Sequence, residues 1–178
     1  IAVKAGTSEH GAAAAASHTG SLAGAAKVYN AALLQAGIVQ ASDLDNLFDR
    51  TLMLSLQPPM KGDNLLVITN GGGVGVLATD AAEKYGVPLK FAPVEVQEEM
   101  KKYMPEFGSA KNPVDLTGMA GTDWYYKAAK GAYPHPWVDG LVILYCETAV
   151  SDPEEIAKGL KQAIDETGIQ DKPVCVSM

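Results

Sequence analysis

The chain has 178 residues, 47% of them apolar, and its 14 basic and 21 acidic residues give a net charge of -7. That length suits one large domain or two small ones, and the apolar content excludes a disordered chain. The acidic balance, without a cluster of Lys and Arg, argues against nucleic acid or an anionic membrane as partner. No apolar run approaches the length of a membrane span, and no Cys/His spacing indicates a metal site.

The two cysteines and the chain ends give two further expectations. Cys146 and Cys175 both fall in apolar runs that are typical of buried strands. Reduced, buried thiols are the simplest interpretation, and a reducing cytoplasm fits them. The chain begins on "IAVKAG" and stops on "KPVCVSM", each of which resembles a strand from the middle of a sheet. We therefore expect a cytoplasmic protein and a fragment of a longer polypeptide.

The first 57 residues predict one strand and two helices, as in the tail of an α/β domain. "IAVKAG" (1–6) predicts a short buried strand, followed by a loop of small residues that carries His18. The alanine-rich run from Gly24 predicts a helix that ends near Gly37. A second helix follows Ser42 as its N-cap. Its apolar side chains fall on one stripe, formed by Leu44, Leu47, Phe48 and Leu52.

The rest of the chain alternates strands and helices after a predicted linker, "PPMKGD", at 58–63. Strands are predicted at 64–69, 88–92, 139–146 and in the final "KPVCVSM", with an extended segment at 110–118. Helices are predicted after "NGGGVG", at 94–104, at 122–133 and from Pro153 to Gly168. Because the strands are apolar throughout, we expect a parallel sheet covered on both faces, which is the doubly wound α/β class.

In the stretch "VITNGGGVGVLATDA", a predicted strand is followed directly by glycines, and a predicted helix begins among those glycines. Backbone N–H groups in such a turn can bind an anion, and the helix dipole assists them. The pattern is neither a Walker A sequence nor a regular G-x-G-x-x-G, because Val76 occupies the last glycine position. A tight turn with a purely structural purpose explains the glycines equally well, and a dinucleotide site explains them less well.

His18 lies in "AAAAASHTGSLAG", where almost no bulky side chain surrounds it. A lone histidine in a loop is most often only solvated. However, imidazole attacks phosphorus only when one nitrogen is neutral and open, and these small residues provide that clearance. Ser17 and Thr19 could donate to a phosphate, and Gly20 lets the backbone approach closely. A structural role for His135 in "PHPW" and a surface position for His10 are the simpler interpretations of the other two histidines.

Four segments together resemble one family. "KAGTSEHGAAAAASHTGSLAG", "LLQAGIVQASDLDNLFD", "VITNGGGVGVLATDA" and "KNPVDLTG" occur in this order. They are similar to the NDP-forming acyl-CoA synthetases, in particular to ADP-forming acetate–CoA ligase, which are relatives of succinyl-CoA synthetase. The resemblance covers essentially the whole chain, and its histidine and glycine motifs are specific as a pair.

The resemblance implies a division of the chain. Residues 1–57 correspond to the C-terminal part of the succinyl-CoA-synthetase-like domain with the histidine loop, and 58–63 to a linker. Residues 64–178 correspond to a flavodoxin-like CoA-ligase domain that lacks its C-terminal part. His18 matches the histidine that is phosphorylated. Phosphate-binding positions are Ser17, Thr19, Gly20, Asn70, Gly71, Gly72, Gly73 and Gly75, with Asp115 lining the site.

The implied activity is an acid–thiol ligase reaction that interconverts acyl-CoA, ADP and phosphate with carboxylic acid, CoA and ATP through a phosphohistidine. ADP or ATP with Mg²⁺, CoA and phosphate are then substrates of the full enzyme, and no cofactor is assigned to the fragment itself. The implied partners are an ATP-grasp nucleotide-binding domain or subunit and a CoA-binding domain that precedes this segment, in an oligomer. The fragment alone is expected to be inactive.

Two alternatives stay open at the level of sequence. Some related chains are fused to acetyltransferase domains, lack the histidine and serve as regulatory, ligand-sensing modules. His18 favours the enzyme over such a module. A Rossmann-type dehydrogenase domain is disfavoured by the irregular glycine pattern.

Overall fold

The computed structural model describes residues 1–19 and 25–178. The chain divides into two compact units, Ile1–Leu56 and Gln57–Met178. Within the described residues, no helix is both long enough and apolar enough to cross a membrane.

The described residues of the first unit, 1–19 and 25–56, form a small parallel sheet and three helices. Strand β1 (Ala2–Val3) pairs with β2 (Gln40–Ala41) in parallel. Between the strands lie helices α1 (Glu9–Thr19) and α2 (Ala26–Gln35), and α3 (Leu44–Leu56) follows β2. Gly37 adopts a φ of 67° just beyond α2, which places the end of that helix where the sequence predicts it.

The predicted loop around His18 is wrong as far as Thr19, because Glu9–Thr19 form α1. The rest of that predicted loop, 20–24, lies outside the described residues. Its sequence, "EHGAAAAASHT", contains five consecutive alanines, the residue with the highest helix propensity. Glu9 in the first turn and His18 in the last turn have the signs of charge that suit a helix dipole when the imidazole is protonated. The small residues that we interpreted as clearance therefore also stabilise a helix.

Helix α3 departs from prediction at its cap and on its surface. Asp43 caps it instead of Ser42: Asp43 Oδ1 accepts from Asn46 N at 2.8 Å, while Ser42 Oγ donates to Asp43 Oδ2 at 2.7 Å. These bonds lower the pKa of Asp43. The apolar stripe has the predicted spacing, but most of it faces solvent, with 61%, 67% and 59% exposure at Leu44, Phe48 and Leu52.

The second unit is a four-stranded parallel sheet with helices between the strands. Its strands are β3 (Leu65–Thr69), β4 (Val114–Asp115), β5 (Gly140–Leu144) and β6 (Val174–Ser177). Its helices are α4 (Gly72–Lys84), α5 (Val94–Lys101), α6 (Thr122–Ala132) and α7 (Pro153–Thr167). The doubly wound α/β class is confirmed.

The strand order in this sheet is β4-β3-β5-β6, and every neighbouring pair is parallel. In the order of the unit's own strands this is 2-1-3-4, the start of the flavodoxin-like order. Leu66, Ile68 and Ile143 on the central strands are fully buried, as are Tyr125 and Tyr133 from the α6 region. Burial of β3 and β5 on both faces explains why these strands are apolar without alternation.

The predicted strand at 88–92 is wrong, because the segment is extended but forms no ladder. Its backbone groups bond instead to the connection that precedes β4: Ala92 N donates to Lys111 O at 2.7 Å, and Lys90 O accepts from Asn112 Nδ2 at 2.8 Å. Asn112 is buried, and its side chain also accepts from Val67 N and donates to Leu65 O. The Asn112 side chain and the Lys111 carbonyl therefore bond to backbone groups of this segment, and Asn112 also links it to β3.

Helix α7 follows its sequence signature closely. Asp152 Oδ1 accepts from Glu154 N and Glu155 N, Pro153 opens the helix, and Gly168 closes it with a left-handed φ of 68°. Ile156, Leu160 and Ala163 are buried and Ile164 is half-buried, so these side chains form the inward face of the helix. The thiols differ from expectation, since Cys146 and Cys175 are half-buried.

We predict that Asn112→Ala lowers the free energy of unfolding by about 3 kcal/mol, because it leaves buried groups such as Val67 N–H without a partner. Asn64→Ala is the matched control, since Asn64 Oδ1 makes only an exposed bond to Lys90. Its cost should stay below about 1 kcal/mol. Urea unfolding of both variants measures the difference, and equal losses would contradict the role given to Asn112.

Candidate functional site

The sheet order places a crevice at the carboxyl ends of β3 and β5. The chain leaves β3 toward β4 on one side and later returns to form β5 on the other side. Where successive connections diverge in this way, the strand ends leave a crevice that commonly binds ligands in open α/β sheets. The glycine segment 70–75 follows β3 directly, so it lies at this crevice.

Asn70 joins the two strand ends across the crevice. Its Oδ1 accepts from Cys146 N and its Nδ2 donates to Cys146 O, both at 2.8 Å. The side chain is only 3% exposed. Asn70 is thus at the site that the sequence indicates, but this pair of bonds leaves it one amide hydrogen for any other partner.

Helix α4 begins at the crevice without a side-chain cap. Gly71 is the N-cap residue, its N–H is bonded to Thr69 Oγ1 at 3.1 Å, and the first intrahelical bond runs from Gly75 N to Gly71 O at 3.0 Å. The N–H groups of Gly72, Gly73 and Val74 have no protein partner within the described part of the chain. We call these three N–H groups the amide cradle; they carry the positive end of the helix dipole.

The glycines of this segment fall into two kinds. A β-carbon on Gly71 would lie 2.6 Å from Cys146 Sγ, and one on the buried Gly75 would lie 3.3 Å from Pro113 Cβ. Packing therefore requires glycine at position 71 and leaves little room for a side chain at position 75. A β-carbon on Gly72 would meet only Asp115 Oδ2, at 3.0 Å, and one on Gly73 would meet nothing within 4 Å.

Glycine in a helix costs about 1 kcal/mol relative to alanine, so packing alone gives no reason for it at Gly73. Close approach of a ligand to the backbone would give one. The purely structural interpretation of the glycine segment accordingly fits Gly71 and Gly75, and it does not account for Gly73.

Asp115 ends β4 beside the amide cradle. Its Oδ1 accepts from Thr117 N at 2.8 Å, and its Oδ2 is the atom that a side chain on Gly72 would meet. Thr117 has a φ of 72°, and its Oγ1 is buried without a hydrogen-bond partner in the residues described. A fixed carboxylate therefore lies beside the amide cradle, and the residue that fixes it has a buried hydroxyl with no partner in the residues described.

Tyr125 makes a hydrogen bond at the edge of the crevice. Its hydroxyl donates to Leu144 O at 3.0 Å, at the carboxyl end of β5. Burial, together with the nearby Cys146, raises the pKa of Tyr125, so the hydroxyl keeps its proton and the bond persists.

Sequence reasoning did not find Cys146, Thr117 or Tyr125 as parts of this site. Cys146 stands at the end of the most apolar strand and Thr117 just after "NPVD", which are the only signals they carry. That β3 and β5 are neighbours is a property of the strand order, and local sequence does not contain it.

His18 lies in the first unit, solvent-exposed in the last turn of α1. The hydroxyl of Ser17 donates to Ala14 O at 2.7 Å, so α1 itself uses this predicted phosphate donor. Thr19 is the last residue of α1, and Gly20 lies outside the described residues.

Two further expectations concern His135 and metal binding. His135 Nδ1 accepts from Trp137 N at 3.2 Å, which agrees with a structural role. Across residues 1–19 and 25–178, no group of three or more His, Cys, Asp or Glu side chains could hold a metal ion.

Two family models match the chain. A Ligase-CoA domain matches residues 65–178, and a succinyl-CoA ligase like flavodoxin domain matches residues 1–54. The family model that matches residues 1–54 is named for a flavodoxin domain. The flavodoxin-like strand order, however, is found in the second unit.

Curated relatives agree with these matches. The alpha subunit of ADP-forming acetate–CoA ligase I from Pyrococcus furiosus is 49% identical over 178 residues, which is 100% of this chain and 38% of the relative. The alpha subunit of ligase II from the same organism is 40% identical over 177 residues, covering 98% of this chain and 38% of the relative.

A solved structure agrees as well. Acetyl-coenzyme A synthetase 1 of Ca. Korarchaeum cryptofilum, described as dinucleotide forming and solved in complex with phosphate and ADP, superposes with a TM-score of 0.90 at 48% identity. The superposition covers 98% of this chain and 37% of that one. The chain spans less than two fifths of the length of these relatives. Since a Ligase-CoA domain accounts for well over half of its residues, the chain belongs to the NDP-forming acyl-CoA synthetase family.

Proposed function

We propose that this chain is the phosphoryl-relay part of an ADP-forming acyl-CoA synthetase, with His18 as phosphoryl carrier. The observation that carries the proposal is the amide cradle: at the uncapped start of α4, three N–H groups have no partner among residues 1–19 and 25–178, and packing does not require the glycine at position 73. The relatives named as ADP-forming acetate–CoA ligases support the reaction type.

The proposed reaction has three steps. Phosphate displaces CoA from acyl-CoA, which gives acyl phosphate and free CoA. A neutral nitrogen of His18 then attacks the phosphorus, the bond to the acyl oxygen breaks, and the carboxylate leaves. Finally ADP takes the phosphoryl group from His18 and becomes ATP, which restores the imidazole. In reverse, the same steps activate a carboxylic acid.

A phosphoryl group on imidazole carries about two negative charges. In a chain with a net charge of -7, that group needs concentrated local compensation. The amide cradle supplies it without a mobile side chain, since backbone N–H groups and the helix dipole are already oriented. Fixed dipoles also avoid a full positive counter-charge, which would hold the phosphoryl group in place and oppose its transfer to the next acceptor.

The exposure of His18 suits a carrier that meets more than one partner. This exposure gives the imidazole access to an acyl phosphate and to a nucleotide. No site for either molecule is assigned to this chain. The surrounding small side chains add little steric hindrance. His18 is the proposed catalytic residue, and the amide cradle is proposed to bind a phosphoryl group.

The remaining functions are proposed to lie outside this segment. They are a CoA-binding domain and an ATP-grasp domain or subunit, the latter holding ADP or ATP with its Mg²⁺. The alpha-subunit names of the relatives support a multi-part enzyme, and a cytoplasmic oligomer is part of the proposal. The acyl group is proposed to be that of a small carboxylic acid, since relatives are named for acetate and 4-hydroxybutyrate.

We predict that the complete enzyme, given acyl-CoA and radiolabelled phosphate without ADP, carries label on His18 that is stable in alkali and lost in acid. His18→Asn should abolish both the label and ATP formation. The matched control is His10→Asn, which makes the same change elsewhere in α1 and should keep both activities. Tandem mass spectrometry locates the label.

Two results would overturn the relay. One is label that persists in His18→Asn. The other is binding of nucleotide or CoA thioester by the complete wild-type protein with no turnover, which would favour the regulatory, ligand-sensing alternative.

We predict opposite effects on stability for two glycine variants. Gly73→Ala should raise the free energy of unfolding by about 1 kcal/mol, because alanine favours the helix and its β-carbon meets open space. The same variant should slow phosphoryl transfer roughly tenfold or more, because the methyl group obstructs the amide cradle. Gly71→Ala should destabilise the fold, because its β-carbon meets Cys146 Sγ.

Urea unfolding and single-turnover kinetics measure these effects. A Gly73→Ala enzyme that is more stable and transfers the phosphoryl group at the wild-type rate would remove the amide cradle from the mechanism.

A further inference from the structure

We propose that the carboxylate of Asp115 weakens the hold of the amide cradle on the phosphoryl group, so that the group moves on to its next acceptor. This inference rests on the proposed function, and it assigns a specific role to a residue that the resemblance marks only as lining the site. Asp115 acts in it as a residue that tunes affinity.

The position of the carboxylate carries the inference. Asp115 Oδ2 lies 3.0 Å from the point that a β-carbon on Gly72 would occupy, at the first residue of α4. Oδ1 is fixed by the N–H of Thr117 at 2.8 Å. The carboxylate is therefore held beside the amide cradle, and it accepts no hydrogen bond from it.

This arrangement has two electrostatic consequences of opposite sign. In the absence of a phosphoryl group, a carboxylate near the N-terminus of a helix stabilises that helix. Once a group with about two negative charges binds at the same N–H donors, the carboxylate repels it. One residue thus stabilises the empty site and destabilises the filled one.

A relay benefits from this balance. A site that bound the phosphoryl group as tightly as its donors allow would stabilise the intermediate and slow its transfer to ADP. A nearby fixed charge reduces that stabilisation without removing any donor. The cost is a weaker affinity for free phosphate.

The test is a titration of inorganic phosphate into the ¹⁵N-labelled 178-residue chain, followed through the amide signals of Gly72, Gly73 and Val74. We expect Asp115→Asn to bind phosphate about tenfold more tightly than the wild type, since partial exposure and salt screen most of the repulsion. Asparagine keeps an oxygen for Thr117 N–H, so the turn is retained. The same variant should unfold at slightly lower urea concentration, because the helix loses a favourable charge.

The matched control is Asp80→Asn, which removes the same charge from an exposed position further along α4. It should leave phosphate affinity within about twofold of the wild type, because salt screens exposed charges at that distance. Asp115→Ala serves as a second variant that removes both the charge and the acceptor for Thr117. If charge decides the effect, it also binds phosphate more tightly than the wild type.

The outcomes separate this inference from the proposed function. If the wild type binds phosphate at these amides and Asp115→Asn binds it equally or less tightly, the role of Asp115 is wrong and the amide cradle stands. If phosphate moves these amide signals in none of the variants, the amide cradle is wrong, and the inference fails with it.

Discussion

The pair of hydrogen bonds between the Asn70 side chain and the backbone of Cys146 is the constraint on which the site depends. It closes the gap between β3 and β5 at the point where the chain changes direction across the sheet. Because Asn70 is buried, the bonds form away from competing water and fix the start of α4 relative to both strands. The contact also brings Cys146 Sγ against Gly71, which explains why that position has no side chain.

The glycine segment combines two demands that the sequence alone does not separate. Gly71 and Gly75 admit the neighbouring Cys146 and Pro113, so they serve the fold. Gly73 has open space around it and lowers helix stability, so its presence suggests a function that needs bare backbone. Within one helix turn, therefore, fold stability favours glycine at some positions and phosphoryl binding favours it at another.

Prediction from sequence was strongest where local chemistry and burial agree. The cap of α7 by Asp152, its end at Gly168 and the apolar strands β3 and β5 all carry signals of their own. It failed where one composition supports two structures. The alanines before His18 suit an open loop and a helix equally in terms of size, and helix propensity decides between them. At 88–92 the strand-like composition is real, but Asn112 and Lys111 satisfy the backbone from the side, so no ladder forms.

The sequence by itself determined the class of fold, the position of the glycine turn and the family, because periodicity, turn residues and motifs are local properties of the chain. The resemblance already marked Asp115 as lining the site, but only the tertiary structure decided that Cys146 packs against Gly71 and that Thr117 N–H fixes the Asp115 carboxylate beside Gly72. These residues come from separate strand ends, and the 2-1-3-4 order that brings them together is set by the packing of the whole sheet. The same packing distinguished the glycines that the fold needs from the one it does not.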